Sequence, residues 1–587
     1  MPFSAQQTYT IAVQHQQAGR TGQAEALYRQ IIAQVPDHAD ALHMLGVLRS
    51  QAGDLQEGAA LLERAAAARP GHAIFHLNLG NALKGLRRTD AAIGAYQRAA
   101  ALGPQLPEAH YNLANAYREV GRLEEAIASY RRAIALKPAL VNANFNLANS
   151  LRDSKKAEEA IAAYRQTLLL KPDHAGALNN LGNTLQDLGR HGEAVATYRL
   201  GLTRIPNQID LLNNLGNALQ KQGDVLEAIE ILQRALALKP DNAAALANLG
   251  NAYRANHRPD LAAQAYQRAL ELSPQSDETR WNLSMMQLVL GNLADGWRSY
   301  ESRIELAKEL PRKFDQPRWD RTPLSGQRIL LHPEQGLGDS IHFVRYAPLV
   351  RARGGVPIVQ CHALLMRLFK GQPDFGQIVN MDDPPPRFDL HCPLMSLPLA
   401  FGTTLETIPA NVPYIAPDPV LAALWRQRVN AASNQRKVGL AWAGNPDNRS
   451  DHIRSTTLAA LSPLGQVDGV DFFSLQKGPA ATKAQSPPSG MRLIDWTNEL
   501  QDFADTAAFI SALDLVICVD TAVAHLAGAM GKPTWLLLPF APDFRWLLYR
   551  PDSPWYPTMR LFRQSEPERW EEPIRQIAAE LKSFAGK

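Results

Sequence analysis

The sequence predicts an α-helical repeat solenoid followed by an α/β module of two parallel-sheet halves, and three observations predict it. Prolines recur at 36, 70, 104, 138, 172, 206, 240 and 274, a constant step of 34 residues. The segment Pro311–Gln327, PRKFDQPRWDRTPLSGQ, breaks that pattern with a proline-rich, charged stretch. From Arg328 onward short apolar runs alternate with helical patterns, the signature of parallel sheets covered by helices. At 587 residues the chain is too long for one hydrophobic core, so separate modules are required.

In the repeats, other positions keep the phase of the prolines. Leu45, Leu79, Leu113, Leu147, Leu181, Leu215, Leu249 and Leu283 recur in a first helix, and Tyr96, Tyr130, Tyr164, Tyr198 and Tyr266 in a second. A small residue follows most of those leucines (Gly46, Gly80, Ala114, Ala148, Gly182, Gly216, Gly250), which lets paired helices approach closely, and the proline ends the second helix. The units are helical hairpins beginning near residues 5, 39, 73, 107, 141, 175, 209, 243 and 277, about nine in all, the last one degenerate because Pro311 is out of phase. On this pattern residues 1–310 resemble a tetratricopeptide solenoid, with 311–327 as linker.

A second set of residues bears on function. Asn78, Asn112, Asn146, Asn180, Asn214, Asn248 and Asn282 share one position in the first helix, and Asn81, Asn115, Asn149, Asn183, Asn217 and Asn251 follow three residues later, on the same helix face. Asparagine is a mediocre helix former, so its repetition calls for a compensating role. Its amide offers donors and an acceptor that can bond the backbone of an extended peptide regardless of that peptide's side chains. The first set is therefore expected to bind a protein acceptor. The other reading is that the amides bond between adjacent helices.

In the second module RILLHP reads as a strand, EQGLGDS as a turn and IHFVRYAPLVRARG as a helix. KVGLAWAG follows as a strand, then the polar loop NPDNRSDHIRS, the helix TLAALSPL, the strand VDFFSLQ, the helix FADTAAFISAL, the strand DLVICVD, the helix TAVAHLAGAM and the strand PTWLLLP. Two Rossmann-like halves are expected, 328–417 and 418–587, with ligands in the cleft beyond the carboxyl ends of the strands.

The segments GLGDSIHFVRYAP (Gly336–Pro348) and DTAVAHLAGAMGKP (Asp520–Pro533) resemble the two motif regions of the heptosyltransferase-like glycosyltransferases. This chain differs where the family commonly has a glycine, here Ala522, and where it has a lysine, here replaced by Arg454. The resemblance implies an inverting, metal-independent GT-B glycosyltransferase, with a nucleotide-sugar co-substrate and no other cofactor. Its union with an upstream tetratricopeptide array resembles bacterial flagellin glycosyltransferases and implies sugar transfer to Ser/Thr hydroxyls of a protein acceptor. Two other readings stay open: a lipid-linked or polysaccharide acceptor, and a non-catalytic scaffold whose transferase module has decayed.

The resemblance places the catalytic base at Asp339, where a helix N-cap is the plain structural alternative. Gly336 and Gly338 would allow close approach of the donor, and Glu334 is a substitute base. Asp520, Thr521, Ala522, Val523 and His525 open a helix after a strand, where the first-turn amides and the hydroxyl can receive phosphate and the acid can bind sugar hydroxyls. Arg454 and Arg449 lie in the polar loop with Asn445, and an arginine there can pair with phosphate through its planar fork. Gln476, followed by Lys477, ends a strand where a nucleotide would lie. The pair Asp382–Asp383 lacks the DxD spacing of metal-dependent transferases and reads as a loop.

Composition limits the remaining classes. A net charge of +4 gives no reason to invoke nucleic acid. The most apolar run, Leu515–Met530, is interrupted by Asp520 and His525, and no membrane insertion is expected. The start MPFSAQQTYT lacks the basic and apolar regions of an export signal. Cys361, Cys392 and Cys518 form no CxxC pair, in keeping with a reducing, cytoplasmic setting.

Overall fold

The structure, a computed structural model, describes residues 4–306, 314–448 and 451–586. Arg449 and the first linker residues, 311–313, lie outside the described residues. The chain divides into two compact units, Met1–Asp241 and Asn242–Lys587.

The first unit is a run of antiparallel helix pairs, from Ala5–Gln17 with Thr21–Gln34 to Ile209–Gln222 with Val225–Leu238. The second helix of each pair stops where the phased proline lies just beyond it, as Pro172 lies beyond Ala157–Leu170. The tyrosines of those helices are fully buried, and a Cβ at Gly80 would come within 2.5 Å of the Tyr96 ring. Between the paired helices a left-handed residue recurs with the same period of 34, at Gly19, Gly53, Arg87, Gly121, Lys155, Gly189 and Gly223. Glycine is favoured at that turn, yet Arg87 (φ 59°) and Lys155 (φ 61°) hold it too, so the helix packing overrides the steric preference of an L side chain.

The asparagine set forms a strut between repeats. The Nδ2 groups of Asn112, Asn146 and Asn180 donate to the Oδ1 atoms of Asn81, Asn115 and Asn149 at 3.0, 3.1 and 2.9 Å. Each of those oxygens also accepts the hydroxyl of the phased tyrosine, Tyr96, Tyr130 or Tyr164, at 2.9, 2.6 and 2.7 Å. Asn214 departs from this register and donates to Asn179 at 2.6 Å, and Asn78 pairs with His43 at 2.8 Å. The buried tyrosine hydroxyl needs an acceptor, and the second asparagine of the face supplies it.

The second unit opens with the hairpins Ala243–Ala255 with Pro259–Leu272 and Asp277–Val289 with Leu293–Tyr300, then the short helix Ser302–Leu306. Here Asn282 donates to Asn251 at 3.4 Å, repeating the strut. Two parallel sheets follow. The first has the order β3-β2-β1-β4, with β1 Arg328–His332, β2 Val356–Cys361, β3 Gln377–Asn380 and β4 Leu390–Pro393. The second has the order β10-β9-β8-β5-β6-β7, with β5 Arg436–Ala441, β6 Val470–Ser474, β7 Leu493–Ile494, β8 Leu515–Val519, β9 Thr534–Leu538 and β10 Met559–Arg563. All their pairings are parallel, so both faces need cover, and the strands β8 and β9 are buried at every position.

Two expected helices differ in the structure. IHFVRYAPLVRARG is not one helix: Leu337–Phe343 and Ala347–Ala352 are joined by a 3-10 turn at Val344–Tyr346, because Pro348 removes a hydrogen bond and restarts the helix. TLAALSPL forms turns and a 3-10 segment, Ser462–Gln466, because Pro463 has no N–H to continue an α-helical ladder and sits instead in the first turn of a new segment.

One hydrophobic core joins the last hairpin to both sheets. Leu288, Leu293, Trp297 and Tyr300 pack with Phe343 and Ile341 of the first half and with Phe544, Trp546 and Trp555 of the second. Trp297 stands edge-to-face to Phe343, Phe544 and Trp555 at centroid distances of 6.1, 5.6 and 6.4 Å. Trp319 and Leu324, in the stretch expected as linker, are buried in the same core.

Candidate active site

Three strand ends build the site. β1 runs into the turn of Glu334 to Asp339, β8 into the helix Ala522–Ala529, and β9 into the loop that carries the 3-10 turn Phe544–Trp546. The carboxyl ends of parallel strands are where backbone amides and loop side chains converge on a ligand. The first two elements touch: a Cβ at Gly338 would lie 2.9 Å from Cδ2 of His525 and 3.6 Å from Cα of Ala522. Glycine at 338 is thus required by close packing of the two helix starts.

Asp339 is doubly engaged. Its Oδ2 accepts the Gly336 amide at 3.0 Å, and its Oδ1 pairs with Arg545. Arg545 is 5% exposed and also pairs with Asp543 at 2.7 Å. Burial opposes its charge, but Asp543 and Asp339 outweigh that and raise its pKa, so it is a permanent cation. Glu334 is held by Arg303 at 2.7 Å, and Arg303, from the short helix after the last hairpin, also donates to Ser396 at 2.6 Å. The turn that carries Asp339 is thereby fixed from below by the end of the repeat region.

Asp520 is buried, and the helix after it begins with its first-turn amides, at Ala522 and Val523, outside the helical ladder. The Thr521 hydroxyl oxygen is buried and makes no hydrogen bond among the described residues. His525 Nε2 stands 3.9 Å from Asp520, beyond hydrogen-bond reach, while its Nδ1 meets the Tyr556 hydroxyl at 3.0 Å and its ring stacks on Trp546 at 5.2 Å. The same hydroxyl meets Nδ1 of His342 at 2.9 Å, and Arg345 donates to Tyr414 at 2.9 Å and to the Trp555 carbonyl at 2.8 Å. Burial, reinforced by the arginines, drives both histidines well below their usual range, so both are neutral rings.

Among the other expected site residues, Arg454 pairs with Asp451 at 3.3 Å, and its charge reaches Asp520 and His525. Gln476 spends its amide on the backbone: Oε1 accepts from Trp442 and Ala443 at 2.9 and 2.8 Å, and Nε2 donates to Ala443 and Lys477 at 3.0 and 2.9 Å. It buttresses the loop after β5. Lys477 likewise caps the carbonyls of Thr497 and Leu500 at 2.7 and 2.9 Å.

Sequence reasoning missed Asp543, Arg545 and Trp546, which are as central to the site as Asp520. Their signal was present in PFAPDFRW, an acid, an arginine and an aromatic directly after an apolar strand. It also missed His342 and Tyr556, whose partners lie 214 and 31 residues away.

The Asp520 environment predicts a pH dependence. Burial, with the Asp543 charge next, pushes its carboxyl up to about 6, against partial relief from Trp546, Arg454 and Arg545. A folded value above the unfolded one means that this group's contribution to stability is complete below about pH 4 and is lost as pH rises through about 6. Asp520→Asn, which cannot ionise, is expected to gain on the wild type by on the order of 2 kcal/mol between about pH 4.5 and 7.5. Urea unfolding at the two pH values measures it, and a constant difference between the two proteins would contradict the raised value.

Comparison with known proteins agrees with this architecture. Tetratricopeptide repeat models match residues 15–77, 88–121, 114–151, 145–209 and 207–275. The model of glycosyltransferase family 9 (heptosyltransferase) matches residues 500–537, the stretch that holds β8 and the helix Ala522–Ala529. Protein FlbA of Caulobacter vibrioides is 29% identical over 342 residues, 52% of this chain and 56% of the relative. The chain thus spans about half the length of the curated relative it matches. Among solved structures, MamA is 23% identical over 29% of this chain and 93% of its own, with a TM-score of 0.28. YrrB, described as a TPR protein with an unusual peptide-binding site, is 20% identical over 32% of this chain and 96% of its own, with a TM-score of 0.29. The chain combines a solenoid of tetratricopeptide repeats with a C-terminal parallel-sheet α/β module that matches glycosyltransferase family 9 (heptosyltransferase) over residues 500–537.

Proposed function

We propose that the chain is an inverting, metal-independent GT-B glycosyltransferase that moves a sugar from a nucleotide-activated donor to Ser/Thr hydroxyls of a protein held by its repeats. The observation that carries this reading is the packing of Gly338, the residue before Asp339, on the Asp520–His525 helix start, with Arg545 paired to Asp339 and its charge acting on Asp520 and His525. An anion at that helix start meets free amides, a free hydroxyl oxygen and arginine charge. An acceptor hydroxyl beside Asp339 would give up its proton to the carboxylate as its oxygen attacks the sugar carbon opposite the phosphate, which inverts that carbon. Asp520 is the residue proposed to bind sugar hydroxyls, with Thr521, Ala522, Val523 and Arg454 on the phosphate. Gln476 supports the loop of Arg454, so its part in donor binding is indirect. His525, fixed by Tyr556, lines the site as a neutral ring. A cytoplasmic setting is part of this proposal, because that is where a nucleotide-activated donor is made. Among the described residues no helix is long and apolar enough to cross a membrane.

The test is intact mass spectrometry of candidate acceptors, flagellin first, from cells with and without the gene. Loss of whole sugar masses in the deletion strain is expected. Identical acceptor masses, together with no sugar transfer by the purified chain from UDP-, GDP- or CMP-sugars to any of those acceptors, would overturn the reading.

We further propose that the asparagine set contributes to acceptor binding, because the amides of Asn112, Asn146 and Asn180 each spend one N–H on the neighbouring repeat and carry a second N–H, while the Oδ1 atoms of Asn146 and Asn180 also accept from Arg118 and Asn179 at 3.4 and 3.5 Å. Replacing Asn146, Asn180 and Asn214 with alanine is expected to weaken acceptor binding by about tenfold, two or three lost net hydrogen bonds. Tyr130→Phe with Tyr164→Phe removes a bond to the same strut oxygens while leaving the ladder amides in place. Calorimetry with the acceptor should show a loss in the asparagine set and none in the tyrosine set. Equal losses in both would make the asparagines repeat architecture alone.

A further inference from the structure

We propose that Arg545 is a donor-operated latch on Asp339: it holds that carboxylate in the free protein and exchanges it for the phosphate of an incoming donor, so that the base is released only when a donor is present. The proposal rests on the reading of this cleft as a nucleotide-sugar transferase site.

The argument begins with what Arg545 holds. Its guanidinium lies between Asp339, from the first half, and Asp543, two residues before it on the loop after β9. Its Nε–H makes no hydrogen bond among the described residues although the side chain is almost wholly buried. A buried unspent donor on a cation is costly unless a ligand takes it. A second unspent polar atom, the Thr521 hydroxyl oxygen, belongs to the helix start that packs on Gly338, the residue before Asp339. The latch, the base and the phosphate-binding helix start are therefore neighbours.

A guanidinium fork fits a carboxylate and a phosphate with the same planar geometry, so one can replace the other without moving the arginine far. Asp543 keeps Arg545 in place throughout. Two carboxylates already share its charge, and a phosphate added to both would set three anions on one cation. Release of Asp339 removes that conflict, and Asp339 is the member attached to the other half of the module. In the transfer step the acceptor O–H proton passes to the released Asp339, the acceptor oxygen forms its bond to the sugar carbon, and the bond from that carbon to the phosphate oxygen breaks. The electron pair leaves with the nucleotide phosphate, whose new charge Arg545 receives. Without a donor, Asp339 stays paired.

Calorimetric titration of inorganic pyrophosphate into the full-length chain tests the latch, with wild type, Asp339→Asn, Arg545→Gln and the double variant compared. If the carboxylate and the phosphate compete for Arg545, Asp339→Asn tightens pyrophosphate by about tenfold, the equivalent of about 1.4 kcal/mol. In the Arg545→Gln background the same change should alter affinity by less than about twofold. Equal tightening in both backgrounds would reflect removal of a negative charge and would overturn the latch, as would no tightening in either. Should circular dichroism show Arg545→Gln unfolded, Arg545→Lys takes its place: it keeps the charge but lacks the fork, and the benefit of Asp339→Asn should shrink at least threefold. If neither wild type nor Asp339→Asn binds pyrophosphate, UDP, GDP or CMP, the transferase reading falls and the latch with it. Binding without coupling removes the latch alone.

Discussion

Asp339→Asn is expected to lower the rate constant for transfer by about 10²–10⁴-fold, the usual contribution of a positioned general base. Asparagine keeps the shape of the side chain and can still accept the Gly336 amide, and Arg545 retains Asp543, so the fold should be unchanged. Alanine would be a poorer choice, because it leaves the guanidinium facing an unfilled space. The decisive measurement is the single-turnover rate at saturating donor. A variant within about threefold of wild type would move the base elsewhere, and Glu334, tied to Arg303 at 2.7 Å, would then need a route out of its own ion pair.

The second large effect concerns Trp297, which belongs to the last helical hairpin yet lies in the core of the α/β module. Trp297→Ala should cost about 3–5 kcal/mol, the range for a large aromatic removed from a packed core. Its three edge-to-face partners come from both halves, so the loss should loosen the loop at Phe544 along with the helix Leu337–Phe343 that carries Asp339. A fragment of residues 242–587 retains this packing and should unfold cooperatively. One beginning at residue 311 lacks Leu293, Trp297 and Tyr300 and, with Arg303 gone, leaves Glu334 without its cation. Near-ultraviolet circular dichroism and urea unfolding distinguish them. A well-packed 311–587 fragment as stable as 242–587 would show that the hairpin merely lies against the module.

Much was legible in the sequence because it was local or periodic. Eight prolines in one phase, a leucine before a small residue and a tyrosine one helix later need no tertiary information, since each repeat packs only on its neighbours. The buried strands β8 and β9 were legible for a similar reason: a strand covered on both faces is a continuous apolar run, and the polar cluster directly after it marks its carboxyl end. The failures among the helices were also local, at Pro348 and Pro463, where an apolar helical pattern was given more weight than the proline within it.

The sequence by itself thus determined the solenoid, the parallel-sheet module and the strand ends at which a site would form. Only the tertiary structure decided which partners those residues meet there. It joined Asp339 to Arg545 across 206 positions and His342 to Tyr556 across 214, and it drew the last hairpin into the core of the α/β module. It also gave the repeated asparagines their first partners, which are one another and the phased tyrosines. The physical reason is that periodicity encodes which face of an element is buried, whereas a charged pair depends on the fold bringing side chains from two distant strand ends into contact, which no local pattern records.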